Sequence, residues 1–439
     1  MKSYRVTEFE MPLEMIEVPT PKPSGTEVLL RVKAAGVCHS DLHIWEGGYD
    51  LGHGKRMLLK DRGIPLPLTM GHETAGEVVA LGPQAEGVKV GEVRLVYPWI
   101  GCGKCPLCLS GDEHLCAAPR SLGVYCDGGY ADHIMVPHPR YLLDLQGLDP
   151  ATAAPYACSG VTTYSALRKV ADIFEREPIL IIGAGGLGLM ALGLLEAMGG
   201  KGAIVVDIDA RKRQAALEAG AIAAVDVAAP DARRQITQAA GASVRAAIDL
   251  VGSEQTSALG FDCLPRGGKL VIVGLFGGAA PWSLPLIPIK AATIQGSYVG
   301  SLAELKALLD LVRRKSVPPI PVTRRPLDQA QQALEDLRRG TMVGRSVLTP
   351  SNVAGGNDVS GYFPSHRRRL DQRVRRQDHP GAQSRDRGID RQHRARGNRR
   401  SRARGAGGRE GLSGVAQGLG VRALQADAQG RRYHPLTRR

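Results

Sequence analysis

The spacing of apolar residues divides the chain into three textures. Up to about residue 150, apolar positions come in short runs such as Val28–Val32 and Glu77–Val79, broken at close spacing by Gly and Pro. Such runs predict a β-rich domain. From about residue 155 the runs lengthen. Pro178–Gly183 reads as a buried strand entering a glycine cluster, and Leu187–Met198 as a helix with little polarity. Ala203–Val206, Ala246–Val251 and Lys269–Val273 repeat the strand signal, and Arg211–Ala219 reads as a helix. Strands alternating with helices predict a parallel sheet covered on both faces. Pro285–Pro288 marks a boundary, followed by a helix at Leu302–Arg314, an amphipathic stretch at Leu327–Arg339 and a closing strand at Val343–Leu348. Beyond Pro350 the periodicity stops: Leu, Ile, Val and Phe make 12 of 89 residues, below the roughly 20% that a core needs.

Charge sharpens that last division. The 439 residues carry 57 Lys+Arg against 43 Asp+Glu, a net charge of +14. Residues 351–439 hold 21 Arg, no Lys and 7 acids, so the whole excess lies there, and 36 basic and 36 acidic side chains cancel in residues 1–350. The main body is therefore not a basic-patch nucleic-acid binder. The extension is expected to be disordered. Its Arg, Gly and Ala are what GC-rich codons give when read without selection for a fold, which points to a frameshift or read-through product. An intact mass near 46.8 kDa would leave read-through open, and one shorter by the extension would make 1–350 the working protein. Nucleic-acid or anionic-surface binding through the extension is the alternative of a different class. Against it, the extension has only Tyr362, Phe363 and Tyr433 as aromatics and no recognition motif. No run of about 18 apolar residues predicts a membrane span, and Met1–Glu10 shows no export signal. The expected location is cytoplasmic.

Three groups of residues carry chemistry. Gly183-Ala-Gly185-Gly186-Leu-Gly188 follows a strand, opens a helix, and precedes by 19 residues an acid, Asp207, at the end of the next strand. In that context the pattern is a dinucleotide fingerprint. Gly183 allows the tight turn, Gly185 lets the backbone approach a pyrophosphate, and Gly188 lets helix and strand pack closely. The helix N-terminus offers N–H groups and positive charge to the phosphates. Asp207 would accept bonds from the adenosine ribose and repel a 2′-phosphate, which favours NAD over NADP.

Cys102, Cys105, Cys108 and Cys116 are spaced C-x2-C-x2-C-x7-C, with Gly101, Gly103 and Gly111 supplying turns. Four thiolates in one loop suit a closed structural Zn2+ site. An iron–sulfur cluster is the rival, and the fourth spacing and the lack of a following Pro fit it less well. The third group is dispersed. It comprises Cys38-His39-Ser40-Asp41-Leu42-His43, Gly71-His72-Glu73, and Cys158 in Ala-Cys158-Ser-Gly160.

Taken together, from about residue 5 to Pro350, these motifs resemble the zinc-containing medium-chain alcohol dehydrogenases, closing with Val343-Gly-Arg345-Ser-Val. The resemblance implies an α/β fold, with a GroES-like β-rich catalytic domain at 1–154 completed by about 292–350. It implies a Rossmann doubly wound parallel-sheet NAD-binding domain at 155–291, with the extension at 351–439. It also implies a catalytic Zn2+ on Cys38, His72 and Cys158, with a fourth position open to an alcohol. Glu73 stands beside that metal and can replace its water, and Asp41 orients the His ligand. Ser40 and His43 relay the proton, and His39 and Arg345 contact the cofactor pyrophosphate. With the four-Cys site, two Zn2+ and one NAD per chain are expected.

The expected reaction interconverts an alcohol with its aldehyde or ketone by hydride transfer to or from NAD. A polyol or other NAD(P)-dependent zinc dehydrogenase is the alternative, and Cys158 argues against the polyol type, where an acid or water often replaces that ligand. The family builds subunit contacts near Lys269–Val273 and Thr293–Val299, so a homotetramer is expected, with a dimer second. The 33 residues between Cys38 and His72 include an added segment, Tyr49–Leu66, expected as a loop at the active-site mouth. Trp45, Tyr49 and Trp99 are candidates to line the substrate cleft.

Overall fold

The computed structural model describes residues 1–350. The Arg-rich extension, with its expected disorder and its alternative binding role, lies outside the described residues.

The N-terminal part is built from antiparallel strands. β1 (Lys2–Val6) pairs with β2 (Glu14–Glu17) and β6 (Leu68–Thr69) in a small sheet. A larger sheet runs in the order β10 (Leu142–Asp144), β8 (Val93–Val96), β7 (Glu73–Leu81), β3 (Val28–Gly36), β18 (Arg345–Thr349) and β17 (Val322–Pro326), and β9 (His133–Val136) also pairs with β3. β3 is central, and its alternation is lost because it is covered on both faces: seven of its nine residues are buried. β18 pairs antiparallel with β3 at Val347↔Gly36, while β7 pairs with the other side at Gly36↔Glu73. Residues more than 270 positions apart thus become neighbours across one glycine.

The added segment is not an irregular loop. It folds as a hairpin of β4 (Gly48–Asp50) and β5 (Arg56–Leu58), followed by a 3-10 turn at Leu59–Arg62. Its tip reaches the nucleotide-binding part: Gly278 N–H donates to Asp50 O at 3.3 Å, and a Cβ added to Gly52 would meet Ala279 N at 2.6 Å.

The second part is a six-stranded parallel sheet. Its order is β13 (Ala223–Asp226), β12 (Ala203–Asp207), β11 (Ile179–Ile182), β14 (Ala246–Asp249), β15 (Lys269–Ile272) and β16 (Thr293–Gly296). The order reverses at β11/β14, which is the crevice where such sheets hold ligands. All four residues of β11 are buried, with Ile179 and Ile181 in one apolar cluster and Leu180 and Ile182 in another on the opposite face. The sheet runs on to Gly296, past the boundary expected at residue 291. Pro285 did not end the domain, because it starts a helical turn, Leu286–Lys290, that leads into β16.

Candidate functional site

Cys38, His72 and Cys158 arrive from three separate elements. Cys38 precedes the helix His39–Trp45, which begins three residues after β3 ends. His72 lies in the link between β6 and β7. Cys158 precedes the helix Ser159–Arg168. All three are buried, and their ligand atoms lie within 4.8 Å of one another. The Cys38 and Cys158 sulfurs are 3.8 Å apart. Two thiolates on one tetrahedral Zn2+ with bonds of about 2.3 Å would stand about 3.8 Å apart. His72 Nε2 is buried with no partner, which is costly unless it receives a ligand. These residues fit a zinc ion. The Cys158 thiol beside it holds Cys38 well below the ordinary thiol range, against burial and with help from Arg345 and His72. That is the thiolate character a metal ligand needs.

Around this cluster the polar groups are ordered. Asp41 Oδ1 lies 3.1 Å from His72 Nδ1, and Asp41 Oδ2 accepts Cys38 N–H at 2.8 Å. Glu73 is fully buried; its Oε1 accepts Arg345 Nη2 at 2.9 Å and Ser159 N–H at 3.2 Å. Burial pushes Glu73 up to about 7, against the opposing pull of Arg345. A Cβ added to Gly36 would lie 2.1 Å from Glu73 Oε2, so the middle strand needs glycine there. Arg345 is also buried, and Nη1 donates to Val37 O at 3.3 Å. Ser40 Oγ lies 3.9 Å from Cys38 Sγ. His43 is one helical turn further on and buried, with its ring 5.4 Å from that of His39 and 4.8 Å from that of Tyr49.

The glycine loop is crowded on one side and open on the other. Gly183 has φ +100°, a Cβ on Gly188 would strike Gly183 O at 2.1 Å, and a Cβ on Gly185 would meet nothing within 4 Å. The open face at Gly185 and the start of the helix Gly186–Ala197 form a cradle that fits a pyrophosphate. Asp207 closes β12 and accepts Ala184 N–H at 2.8 Å, so it also braces the loop. Arg345 reaches this loop too: a Cβ on Gly186 would come within 3.6 Å of its Cζ. His39, the first residue of the helix His39–Trp45, has Arg345 and Lys212 near enough to act on its charge. Its pKa is lowered by burial, with Arg345 and Lys212 adding to the effect against Cys38.

The four cysteines of the lobe also converge. Sulfur–sulfur distances are 3.5 Å for Cys105–Cys108, 3.8 Å for Cys105–Cys116 and 3.9 Å for Cys102–Cys108. A Cβ on Gly101 would collide with Cys108 Sγ at 2.4 Å. The set fits a second tetrahedral zinc with no open position. Glu113, inside the loop, accepts Tyr141 O–H at 2.7 Å and ties the lobe to the body.

The aromatic candidates separate. The Trp99 ring lies 5.3 Å from that of His72, tilted by 53°, and its indole N–H donates to Ala157 O at 2.9 Å; Tyr298 meets it edge-on at 6.2 Å. Trp45 does not line the cleft. It is buried, donates to Met11 O at 2.6 Å and carries Arg338 on its ring. Tyr130, Thr162, Lys212 and Tyr298 have places at the site that the sequence reading missed. Thr162 Oγ1 is buried without a partner one turn past Cys158. The Gly128-Gly129 pair before Tyr130 was the one local signal available.

Comparison with known proteins follows the same division of the chain. Residues 24–146 match the family model for the alcohol dehydrogenase GroES-like domain, and residues 186–314 that for zinc-binding dehydrogenase. The chain is 39% identical over 354 residues to an NAD-dependent alcohol dehydrogenase of Sulfurisphaera tokodaii, covering 80% of this chain and 100% of that protein. It is 32% identical to a D-arabinose 1-dehydrogenase (NADP(+)) of Saccharolobus solfataricus, covering 80% and 97%. Its structure is similar to that of the alcohol dehydrogenase from Aeropyrum pernix, with TM-score 0.72, 30% identity, and 80% and 100% of the two chains covered.

Proposed function

The chain belongs to the medium-chain zinc alcohol dehydrogenase family, and from that membership we infer an NAD-dependent enzyme that interconverts an alcohol and its aldehyde or ketone. The observation that carries this reading is Arg345. One buried guanidinium is bonded to Glu73, the residue after His72, and its Cζ lies 3.6 Å from where a Cβ on Gly186 of the nucleotide loop would be. This supports a metal site and a cofactor site that share one cleft.

Cys38, His72 and Cys158 would hold the catalytic zinc, and Cys102, Cys105, Cys108 and Cys116 the structural one. Bound zinc supplies a Lewis acid for the substrate oxygen, and bound NAD supplies the hydride acceptor. The protein's own groups do the rest. Ser40 Oγ takes the hydroxyl proton, and the His43 imidazole carries it towards solvent. Asp41 holds the His72 ring in place. Glu73 stands at the cluster as a carboxyl group able to change charge near neutral pH. Gly183, Gly185, Gly186 and Gly188 hold the pyrophosphate, with His39 and Arg345 beside it. Asp207 holds the adenosine ribose. Trp99, Tyr49 and Tyr298 give the pocket flat apolar walls, which favour alcohols carrying an apolar or aromatic group.

The test is NADH formation across an alcohol panel, with a zinc count. Two zinc per chain and loss of activity in Cys38→Ala are expected. One zinc or none with full activity would refute the reading. The relative that is named as an NADP(+)-dependent sugar dehydrogenase keeps a second reading in view. Running the panel with both cofactors and with pentoses separates the two, and Asp207 supports NAD. Eight unpaired cysteines suit a reducing, cytoplasmic setting, and among the described residues no helix is long and apolar enough to cross a membrane. A homotetramer, or failing that a dimer, is supported by the open edge of β16 and by exposed Phe276, Leu284 and Ile289 in the segment between β15 and β16. Elution as a monomer in gel filtration would refute it.

A further inference from the structure

Asp41 is buried with no exposure, so its carboxylate depends wholly on protein partners. Two of these come from the ligand-bearing segments themselves, His72 on Oδ1 and Cys38 N–H on Oδ2. The third comes from elsewhere. Tyr130, also with no exposure, donates its hydroxyl to Asp41 Oδ2 at 3.0 Å.

The tyrosine is unusually well fixed. Its N–H donates to Met70 O at 2.9 Å and its carbonyl accepts Tyr4 N–H at 2.8 Å. Its ring lies where a Cβ on Gly71 would be, 2.4 Å from Cδ1, and Gly71 has φ +94°. A Cβ on Gly129 would meet Thr74 Oγ1 at 2.1 Å. The Gly128–Tyr130 segment is therefore pressed onto the stretch that carries His72, with glycine on both sides of the contact.

We propose that Tyr130 is a positioning residue of the three-ligand metal site, setting the rotation of the Asp41 carboxylate so that Oδ1 stays on His72 Nδ1 and Nε2 stays aimed at the metal. A carboxylate held on one oxygen by a backbone N–H still turns about its own bond. A second donor on that same oxygen, anchored in another part of the chain, stops the turn. The contact between His72 Nδ1 and Asp41 Oδ1 is at ion-pair distance but too bent for a good hydrogen bond. A pair so placed is sensitive to small rotations, which makes the outside anchor matter.

The proposal rests on Cys38, His72 and Cys158 being the catalytic zinc ligands, and the experiment separates the two. Tyr130→Phe in the full chain keeps the ring against Gly71 and removes the hydroxyl. The readouts are zinc retained per chain on dialysis against a chelator, the visible spectrum of the Co2+-substituted catalytic site, and Tm. Wild type is expected to keep two zinc. The variant is expected to hold the catalytic-site metal about 10-fold more weakly, at the low end of the range for outer ligand partners. It should keep the four-Cys zinc and show shifted Co2+ bands.

Asp41→Asn is the second variant, and it should shift the same bands. Adding Tyr130→Phe to it should cost little more, because the tyrosine acts through Asp41. Metal retention and Co2+ bands in Tyr130→Phe equal to wild type would overturn the proposal. So would parallel loss of both zinc ions with a fall in Tm, which would mark a purely structural residue. Wild type that holds only the four-Cys zinc would overturn the underlying reading of the site.

Discussion

Burial, then the neighbouring His39, lower His43 to about 4, against a smaller opposing effect of Cys38. A lowered histidine pKa keeps the ring unprotonated down to lower pH, at the cost of weaker basicity, so it suits passing a proton on rather than storing it. The histidine limb of alcohol oxidation is therefore expected well below pH 6.5. His43→Ala should slow oxidation at pH 7 about tenfold or more, as loss of a general base does, and recover as rising pH lets solvent take the proton. A kcat profile from pH 5 to 10 on both proteins checks this, and identical profiles would remove His43 from the relay. The Glu73–Arg345 pair is buried on both sides. At about pH 8, above the raised value of about 7 for Glu73, Glu73→Ala leaves a buried guanidinium uncompensated and should cost about 3–5 kcal/mol, visible as a lower denaturant midpoint. The four-Cys loop was legible from its spacing alone, whereas Cys38, His72 and Cys158 were legible only through the family resemblance, because a lone Cys or His has many other uses. The aromatics were not, since a tryptophan reads the same in a core as in a cleft. What divides Trp45 from Trp99 is the carbonyl each indole finds, Met11 or Ala157, and both contacts are tertiary.

Among the elements, the glycine loop offers a clean contrast. Gly185 faces open space and Gly188 is jammed against Gly183 O. Gly185→Ala is expected to leave Tm almost unchanged, within the roughly 0.5 kcal/mol of a harmless surface substitution, while weakening NAD binding. Gly188→Ala forces the helix off its strand and should lose about 1–3 kcal/mol of stability as overpacking does. Calorimetry with and without NAD reads both, and equal behaviour of the two variants would show that the loop roles are misassigned. The strands of the parallel sheet were legible from their apolar runs. Their spatial order was not, because it is set by which face each crossover helix covers. β16 escaped notice for a local reason: Thr-Ile-Gln-Gly is short and mostly polar, and it follows a proline-rich stretch. The hairpin β4–β5 escaped because three-residue strands carry no period to read.

At the scale of the molecule, the cancelling charges of residues 1–350 leave association to apolar surface. Phe276 and Leu284 are 64% and 78% exposed in the segment leading to the open β16 edge. Replacing both with Glu should reduce the assembly to smaller species in gel filtration while each chain keeps its zinc. No change in elution would move the interface elsewhere. The two-part division of the body was visible in its texture, but the return of the chain was visible only through the family resemblance. That return has a consequence for biosynthesis. The parallel sheet draws all its strands from residues 179–296 and can close on itself as it leaves the ribosome. The β-rich part cannot: β3 waits for β18, and Glu73 waits for Arg345, some 270 residues later. At about 5–20 residues per second, the carboxylate spends on the order of 15–50 seconds of translation without its counter-charge. The N-terminal part is thus the first made and the last finished, and its metal-binding thiols must stay reduced in the interval.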